Sequence, residues 1–299
     1  MKSFRGKRAL VTGAASGIGR EIALRLALEG VDLWLLDIDL EGLQEVVRDA
    51  RVCGVQAVAR RCDLSAAAEI STALAELLAE WAALDILVNN AGVAYYGATE
   101  RMTAEQWDWL LAINLLAPIQ IIRELLPVLL QQPEAHVLNV CSVAGLVAGP
   151  RSAAYHVSKF GLVGFTESIR AEYGRRGVGV TALCPGPVRT NLYKSAVSGS
   201  KRKPVPVPPT WLSATPAHIA DVAIRAIRRN RRVVVITPIA HVLFNAKRFA
   251  PWFLDWMNHF TLRRRRPTAV TTPSAAPVLR PFALAAAERE AEPAVRRAA

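Results

Sequence analysis

Cysteine is scarce in this sequence, with Cys53, Cys62, Cys141 and Cys184 the only four among 299 residues. No two form a C-x-x-C pair and their neighbours are apolar or strand-like. That favours reduced core thiols in a cytoplasmic protein over a disulfide framework. Histidine is almost as sparse: His136, His156, His218, His241 and His259 are scattered, with no two at metal-ligand spacing, and no metal is expected. No run of about 18 uncharged apolar residues occurs, so no membrane-spanning helix is expected. Met1 to Gly6 is short and charged and lacks the apolar core of a signal peptide; the first apolar stretch, Ala9 to Val11, runs straight into a glycine-rich turn. There is no internal repeat. Acid is also in deficit, with 25 Asp and Glu against 37 Lys and Arg, a net charge of +12. The basic clusters fall late, at Lys201–Lys203, Arg228–Arg229, Arg231–Arg232 and Arg263–Arg266. No nucleic-acid recognition motif accompanies them, so no nucleic-acid partner is expected. They read as a solvated surface or one facing a membrane, because aromatic residues lie just upstream of the last cluster.

At 52% hydrophobic, the chain can bury one substantial core. Its first two-thirds alternates short aliphatic runs with longer amphipathic ones. Strands are expected at Ala9–Thr12, Asp32–Leu36, Gln56–Arg61, Ile86–Asn89, His136–Val140, Gly179–Cys184 and Val233–Ile236. Helices are expected at Gly17–Glu29, Leu40–Val52, Ala66–Trp81, Ala104–Leu130, Ala153–Tyr173 and Ala217–Arg229. Repeated βαβ units of this kind predict an α/β fold: a doubly wound, Rossmann-type parallel sheet of about seven strands with helices on both faces. Ligands of such sheets bind at the carboxyl ends of the strands, near the reversal of strand order.

The stretch Thr12-Gly13-Ala14-Ala15-Ser16-Gly17-Ile18-Gly19 joins the first strand to the first helix. Glycines there allow a tight turn and the close approach of a pyrophosphate to the positive end of the helix. Gly13, Ser16, Gly17, Ile18 and Gly19 are the candidate contacts. Eighteen positions after Gly19, Asp37 ends the second strand. Its carboxylate suits the hydroxyls of an adenosine ribose and repels a 2′-phosphate; Ile38 follows it where a phosphate site would want Arg. NAD is therefore favoured over NADP. Asp39 either shares this role or caps the helix that starts at Leu40. Asp63 either bonds the adenine amino group or caps the next helix.

Tyr155 and Lys159 are four apart on an expected helix and share one face. A phenol is a poor base near neutral pH, and a nearby ammonium favours its ionised form, so the pair predicts a lowered tyrosine pKa and acid–base work. Ser142, after the strand His136–Val140, can hydrogen-bond a substrate oxygen. With these residues in hand the sequence resembles the short-chain dehydrogenase/reductase family. The motifs that carry the resemblance are Thr12–Gly19, Asn89-Asn90-Ala91-Gly92, Asn114, Ser142, Tyr155 with Lys159, and Pro185-Gly186 followed by Thr190, in the family's order over roughly the first 235 residues. The resemblance implies that Tyr155 is the general acid/base, that Lys159 lowers its pKa and bonds the nicotinamide ribose, and that Ser142 polarises the substrate oxygen. It implies further that Asn114 positions a water linked to Lys159, that Asn90 and Gly92 support the cofactor, and that Pro185, Gly186, Val188 and Thr190 hold the carboxamide. It also implies a dimer or tetramer through the long helices.

Tyr95, Tyr96, Leu146, Val147 and Tyr193 either line a substrate pocket or pack loops. His156 points away from its neighbour Tyr155. Pro187 to Pro216 reads as a loop over the site or a disordered insertion. The expected division is a catalytic domain over 1–237, an amphipathic aromatic extension over 238–262, and a basic disordered tail over 263–299. The extension either caps the pocket, meets a partner subunit or lies on an anionic membrane. The expected activity is hydride transfer between NAD(H) and a lipophilic alcohol or ketone. The alternatives are an NADPH-dependent carbonyl reductase, which turns on Asp37, and a dinucleotide sensor, which has no need of Ser142, Tyr155 and Lys159 together.

Overall fold

The computed structural model describes residues 1–199 and 205–261. The expected basic tail and the cluster Lys201–Lys203 lie outside them. Seven strands form one parallel sheet: β1 (Arg8–Thr12), β2 (Asp32–Asp37), β3 (Ala57–Arg61), β4 (Ile86–Asn89), β6 (Ala135–Val140), β7 (Val178–Pro185) and β9 (Val233–Ile236). Their order is β3-β2-β1-β4-β6-β7-β9, so the winding reverses between β1 and β4. Every pairing is parallel, with Leu10 beside both Trp34 and Leu87. A second, two-stranded sheet pairs β5 (Tyr95–Tyr96) with β8 (Val197–Ser198).

Side chains alternate across each strand, so one strand feeds two cores. Ala9, Val11, Leu33, Leu35, Ile86 and Val88 face one layer, covered by α1 (Gly17–Leu28), α2 (Leu40–Val52) and α8 (Pro216–Arg228). Leu10, Trp34, Leu36 and Leu87 face the other, covered by α3 (Ala67–Trp81) and α5 (Ala117–Leu129). Strands buried on both faces read as unbroken apolar runs, which is why Asp-Leu-Trp-Leu-Leu-Asp forms β2. There Trp34 meets the edge of Trp81 with centroids 5.5 Å apart.

The expected helix 104–130 is interrupted. α4 (Ala104–Leu111), capped by Thr103 and Gln106, passes into a π-helical turn over Ala112–Leu116 before α5 begins with Pro118 near its start. A π-turn inserts one extra residue per turn, and proline has no N–H with which to continue the ladder. By length and composition alone, Ala104–Leu129 is long and apolar enough to cross a membrane. Ile121, Leu125 and Leu129 are instead buried against the sheet.

α6 (Ala153–Tyr173) is fixed from below by a polar seam. Asn89 Nδ2 donates to Asn139 Oδ1 at 2.9 Å, and Asn139 Nδ2 donates to Thr166 Oγ1 at 2.8 Å. All three are buried. The seam therefore ties β4, β6 and the long helix in one register. The remaining described α-helices are α7 (Leu192–Ser195), α9 (Pro238–Phe249) and α10 (Pro251–Thr261).

His136, also on β6, has its Nε2 2.9 Å from Thr181 Oγ1, and Gly179 leaves room for the ring. Complete burial drives its pKa down from 6.5 to about 3. The unfolded chain therefore binds a proton between those values that the native state does not, so stability is full above the unfolded pKa and falls as pH drops. Urea unfolding should show a loss of about 2 kcal/mol from this residue between pH 6.5 and 5. His136→Gln should flatten that slope, and an unchanged slope would remove His136 as its source.

Candidate active site

The carboxyl ends of β1, β4, β6 and β7 open into one cleft of about 720 Å³ at the reversal of strand order. One end is the glycine turn. Asn90 Nδ2 donates to the carbonyls of Thr12 and Gly13 at 3.0 Å each, while Thr12 Oγ1 accepts from the N–H groups of Asn90 and Ala91 at 3.0 and 3.1 Å. Gly13 adopts φ +64°, and a Cβ there would lie 2.7 Å from Ala91 Cα. A Cβ on Gly19 would strike the Gly13 carbonyl. These positions admit no other residue. Ser16 is the N-cap of α1 and makes no side-chain cap bond, and with Gly17 and Ile18, whose N–H groups have no partner within the helix, it lines the cleft. That donor set fits a pyrophosphate.

Asp37 lines the far end beside Ile38 and Asp63. Its Oδ2 accepts from Ala15 N–H at 3.0 Å and its Oδ1 from Asp39 N–H at 3.1 Å, which fixes the carboxylate against the turn. Asp39 itself accepts from Gly42 N–H and caps α2. Asp63 Oδ1 accepts from the N–H and Oγ of Ser65, a bond within its own loop.

At the other end Ser142, Tyr155 and Lys159 converge. Ser142 follows β6, and its Oγ accepts from Ala144 N–H at 3.0 Å. Lys159 Nζ donates to the Val140 carbonyl at 3.0 Å and lies 5.8 Å from the centre of the Tyr155 ring. Burial lowers the Lys159 pKa and pushes the Tyr155 phenol up to about 12, against a smaller downward pull from its hydrogen bond with Ser142. The expected lowering of the tyrosine pKa is therefore reversed in the free protein. The ammonium is turned to a strand carbonyl, and desolvation of the phenol outweighs the other influences. Tyr155 stands as a protonated acid.

Asn114 sits in the π-turn. Its Oδ1 accepts from Val93 N–H and its Nδ2 donates to Val93 O, both at 2.8 Å, so the amide grips the segment after Gly92. Gly92 passes between Asn114 and Lys159: a Cβ on it would lie 3.3 Å from the amide oxygen and 3.6 Å from the ammonium. Pro185, Gly186, Val188 and Thr190 line the cleft, and Thr190 lies over Gly17. Tyr95, Tyr96 and Tyr193 also line it, whereas Leu146 packs beneath in a small core with Leu162. Val147 is buried. The strand pairing of β8 with β5 gives order to part of the segment expected as a loop or disordered insertion.

His156 had no assigned role. It bridges the loop after Ser142, with Nδ1 2.8 Å from Ala144 O and Nε2 accepting from Gly149 N–H at 3.0 Å. Asn139 and Thr166 were also missed; the signal was an Asn inside the otherwise apolar run Val-Leu-Asn-Val.

The family model described as short chain dehydrogenase matches residues 7–201, and the chain belongs to that family. A CLA biosynthesis dehydrogenase/reductase from Lactiplantibacillus plantarum is 34% identical over 196 residues, 64% of this chain and 68% of the relative. A short-chain dehydrogenase/reductase from Burkholderia phymatum, crystallised with NAD, has a TM-score of 0.73 at 26% identity, covering 90% of this chain and all of its own. A metagenomic short-chain oxidoreductase crystallised with NADP has a TM-score of 0.66 at 32% identity, covering 78% and 97%. This chain is thus an NAD(P)-dependent oxidoreductase.

Tyr155→Phe keeps the ring and removes its phenolic proton. Its turnover should fall by about 10²- to 10⁴-fold while NADH binding, followed by fluorescence, stays unchanged. Retained turnover would assign the proton to another group.

Proposed function

We propose that this chain moves a hydride reversibly between NAD(H) and the CH–OH or C=O carbon of a lipophilic alcohol or ketone. The observation that carries the reading is the convergence of Ser142, Tyr155 and Lys159 at one end of a cleft whose other end holds a fixed carboxylate, Asp37. Bound nicotinamide supplies or accepts the hydride. In reduction, Ser142 Oγ holds the carbonyl oxygen and Tyr155 Oη donates its proton to it, so ketone, hydride and proton give the alcohol. Lys159 bonds the nicotinamide ribose and returns a proton to Tyr155 from solvent, by way of a water held near Asn114. In oxidation the same groups take the hydroxyl proton away. Gly13, Ser16, Gly17, Ile18 and Gly19 hold the pyrophosphate, Asn90 and Gly92 support the adjoining ribose, and Asp63 meets the adenine. Val188 and Thr190, with Pro185 and Gly186, orient the carboxamide. Positioning of this kind is what hydride transfer requires of a protein.

Asp37 supports NAD over NADP. Its carboxylate is already fixed by two N–H donors, and no Arg or Lys follows it to meet a 2′-phosphate. The apolar substrate rests on Tyr95, Tyr193 and Trp109 along the cleft. The reading extends to a cytoplasmic homo-oligomer joined through α5 and α6, where Leu116, at the start of α5, and Val157, on α6, are exposed. An NADPH-dependent carbonyl reductase is the second reading, favoured by the NADP complex of the metagenomic neighbour.

Paired titration with NADH and NADPH separates the two. NADH should bind at least about tenfold more tightly, with the preference lost in Asp37→Ala. Tighter NADPH binding would establish the carbonyl reductase.

A further inference from the structure

Beyond the last sheet strand, none of the described side chains of α9 and α10 lines the cleft. α9 is nevertheless fastened beside the active site. Lys247 Nζ donates to the Leu146 carbonyl at 2.7 Å and stands 4.4 Å over the ring of Phe160. Leu146 lies four residues past Ser142, and Phe160 follows Lys159 directly.

The outer side of this helix pair has a different chemistry. Phe249, Trp252 and Trp256 are 76%, 69% and 56% exposed, and Val242 is exposed as well. Trp252 and Trp256 are four apart and share one face of α10. Phe253 meets the edge of Trp252 at 6.3 Å and stacks on Trp256 at 5.8 Å, so the three rings form one group. Buried Leu254 anchors the helix on its other side. The Arg248 guanidinium lies 5.8 Å from the Phe249 ring, among the aromatics. Charge here is one-sided. Within 238–256 the basic residues Lys247 and Arg248 face one carboxylate, Asp255, and in sequence the chain continues into Arg263–Arg266.

We infer that the outer face of α9 and α10 docks this enzyme on an anionic lipid bilayer. The inference rests on the proposed lipophilic substrate only for its purpose, since the docking is argued from the face itself. Exposed tryptophans with basic residues beside them suit the interface between headgroups and acyl chains. There the rings leave water while the cations meet lipid phosphates. Lys247 gives the docked face a direct connection to the loop that carries Ser142. A lipid-dissolved alcohol or ketone would then meet the enzyme at the bilayer surface.

Co-sedimentation of the full chain with phosphatidylcholine vesicles containing about 30 mol% phosphatidylglycerol tests this, with pure phosphatidylcholine as the control. Binding should be at least about tenfold stronger on the anionic vesicles and should fall on raising salt to about 0.5 M. Joint replacement of Phe249, Trp252 and Trp256 by Ser should weaken it by about tenfold or more. Arg248→Gln, which leaves the aromatic group intact, should weaken it by a smaller factor. NADH binding, measured on the same preparations, should stay unchanged in both variants; its loss in the wild type would count against the oxidoreductase reading and not the docking. Equal sedimentation of wild type and the aromatic variant would overturn the proposal. So would an absence of vesicle binding together with a change of oligomeric state in that variant, which would make the face a subunit contact.

Discussion

A buried ammonium governs the layout of this site. Lys159 is 3% exposed, and no carboxylate pairs with it among the described residues; its hydrogen bond runs to the Val140 carbonyl at the end of β6. Removing such a charge from water costs several kcal/mol even after relaxation, and one bond to a carbonyl returns only about 1.5–3 kcal/mol. The depressed lysine pKa expresses the remainder. The neighbours are shaped by the same demand. Gly92 leaves space for the ammonium, and Gly145 lets the loop after Ser142 approach the Lys159 backbone. A dinucleotide ribose would supply the acceptors that the folded chain withholds.

The framework below keeps that charge in place. The seam from Asn89 through Asn139 to Thr166 sets the height of α6 against the sheet, and with it the positions of Tyr155 and Lys159. The clamp of Asn90 on Thr12 and Gly13 fixes the glycine turn relative to β4. Both rely on asparagine amides, which donate and accept at once and so can join neighbouring strand ends. His156 and Lys247 hold the loop after Ser142 from α6 and α9 respectively. Ser142, Tyr155 and Lys159 are thus carried on a strand end and a long helix, which makes their spacing a property of the fold.

Much of this was legible in the sequence because the signals were local. The seven sheet strands lie within about a residue of their expected bounds, since each is an apolar run closed by a turn. The glycine turn, Asp37, Ser142, Tyr155 and Lys159 were singled out from spacing, strand ends and the family resemblance, and the fold gathers them along one cleft. What escaped depends on tertiary structure. The π-turn at Asn114 is hidden by an apolar period that runs through it unbroken. The pairing of Tyr95–Tyr96 with Val197–Ser198 joins segments about a hundred residues apart, too short to show a period. The sign of the Tyr155 shift depends on burial, which no four-residue spacing reveals. Asp39 was open between two roles until its bond to Gly42 showed it capping α2.

We propose that the chain keeps the Lys159 charge buried, at a cost in stability, because the cofactor and the proton transfer need it. Thermal unfolding of the wild type and Lys159→Met, each with and without NADH, tests this most directly. Without NADH the variant should melt higher, by about 2–4 °C, since an apolar side chain of similar length replaces a desolvated charge. With saturating NADH the wild type should gain about 3 kcal/mol, and the variant should gain much less. A variant that melts lower without NADH and gains as much from it would contradict the account.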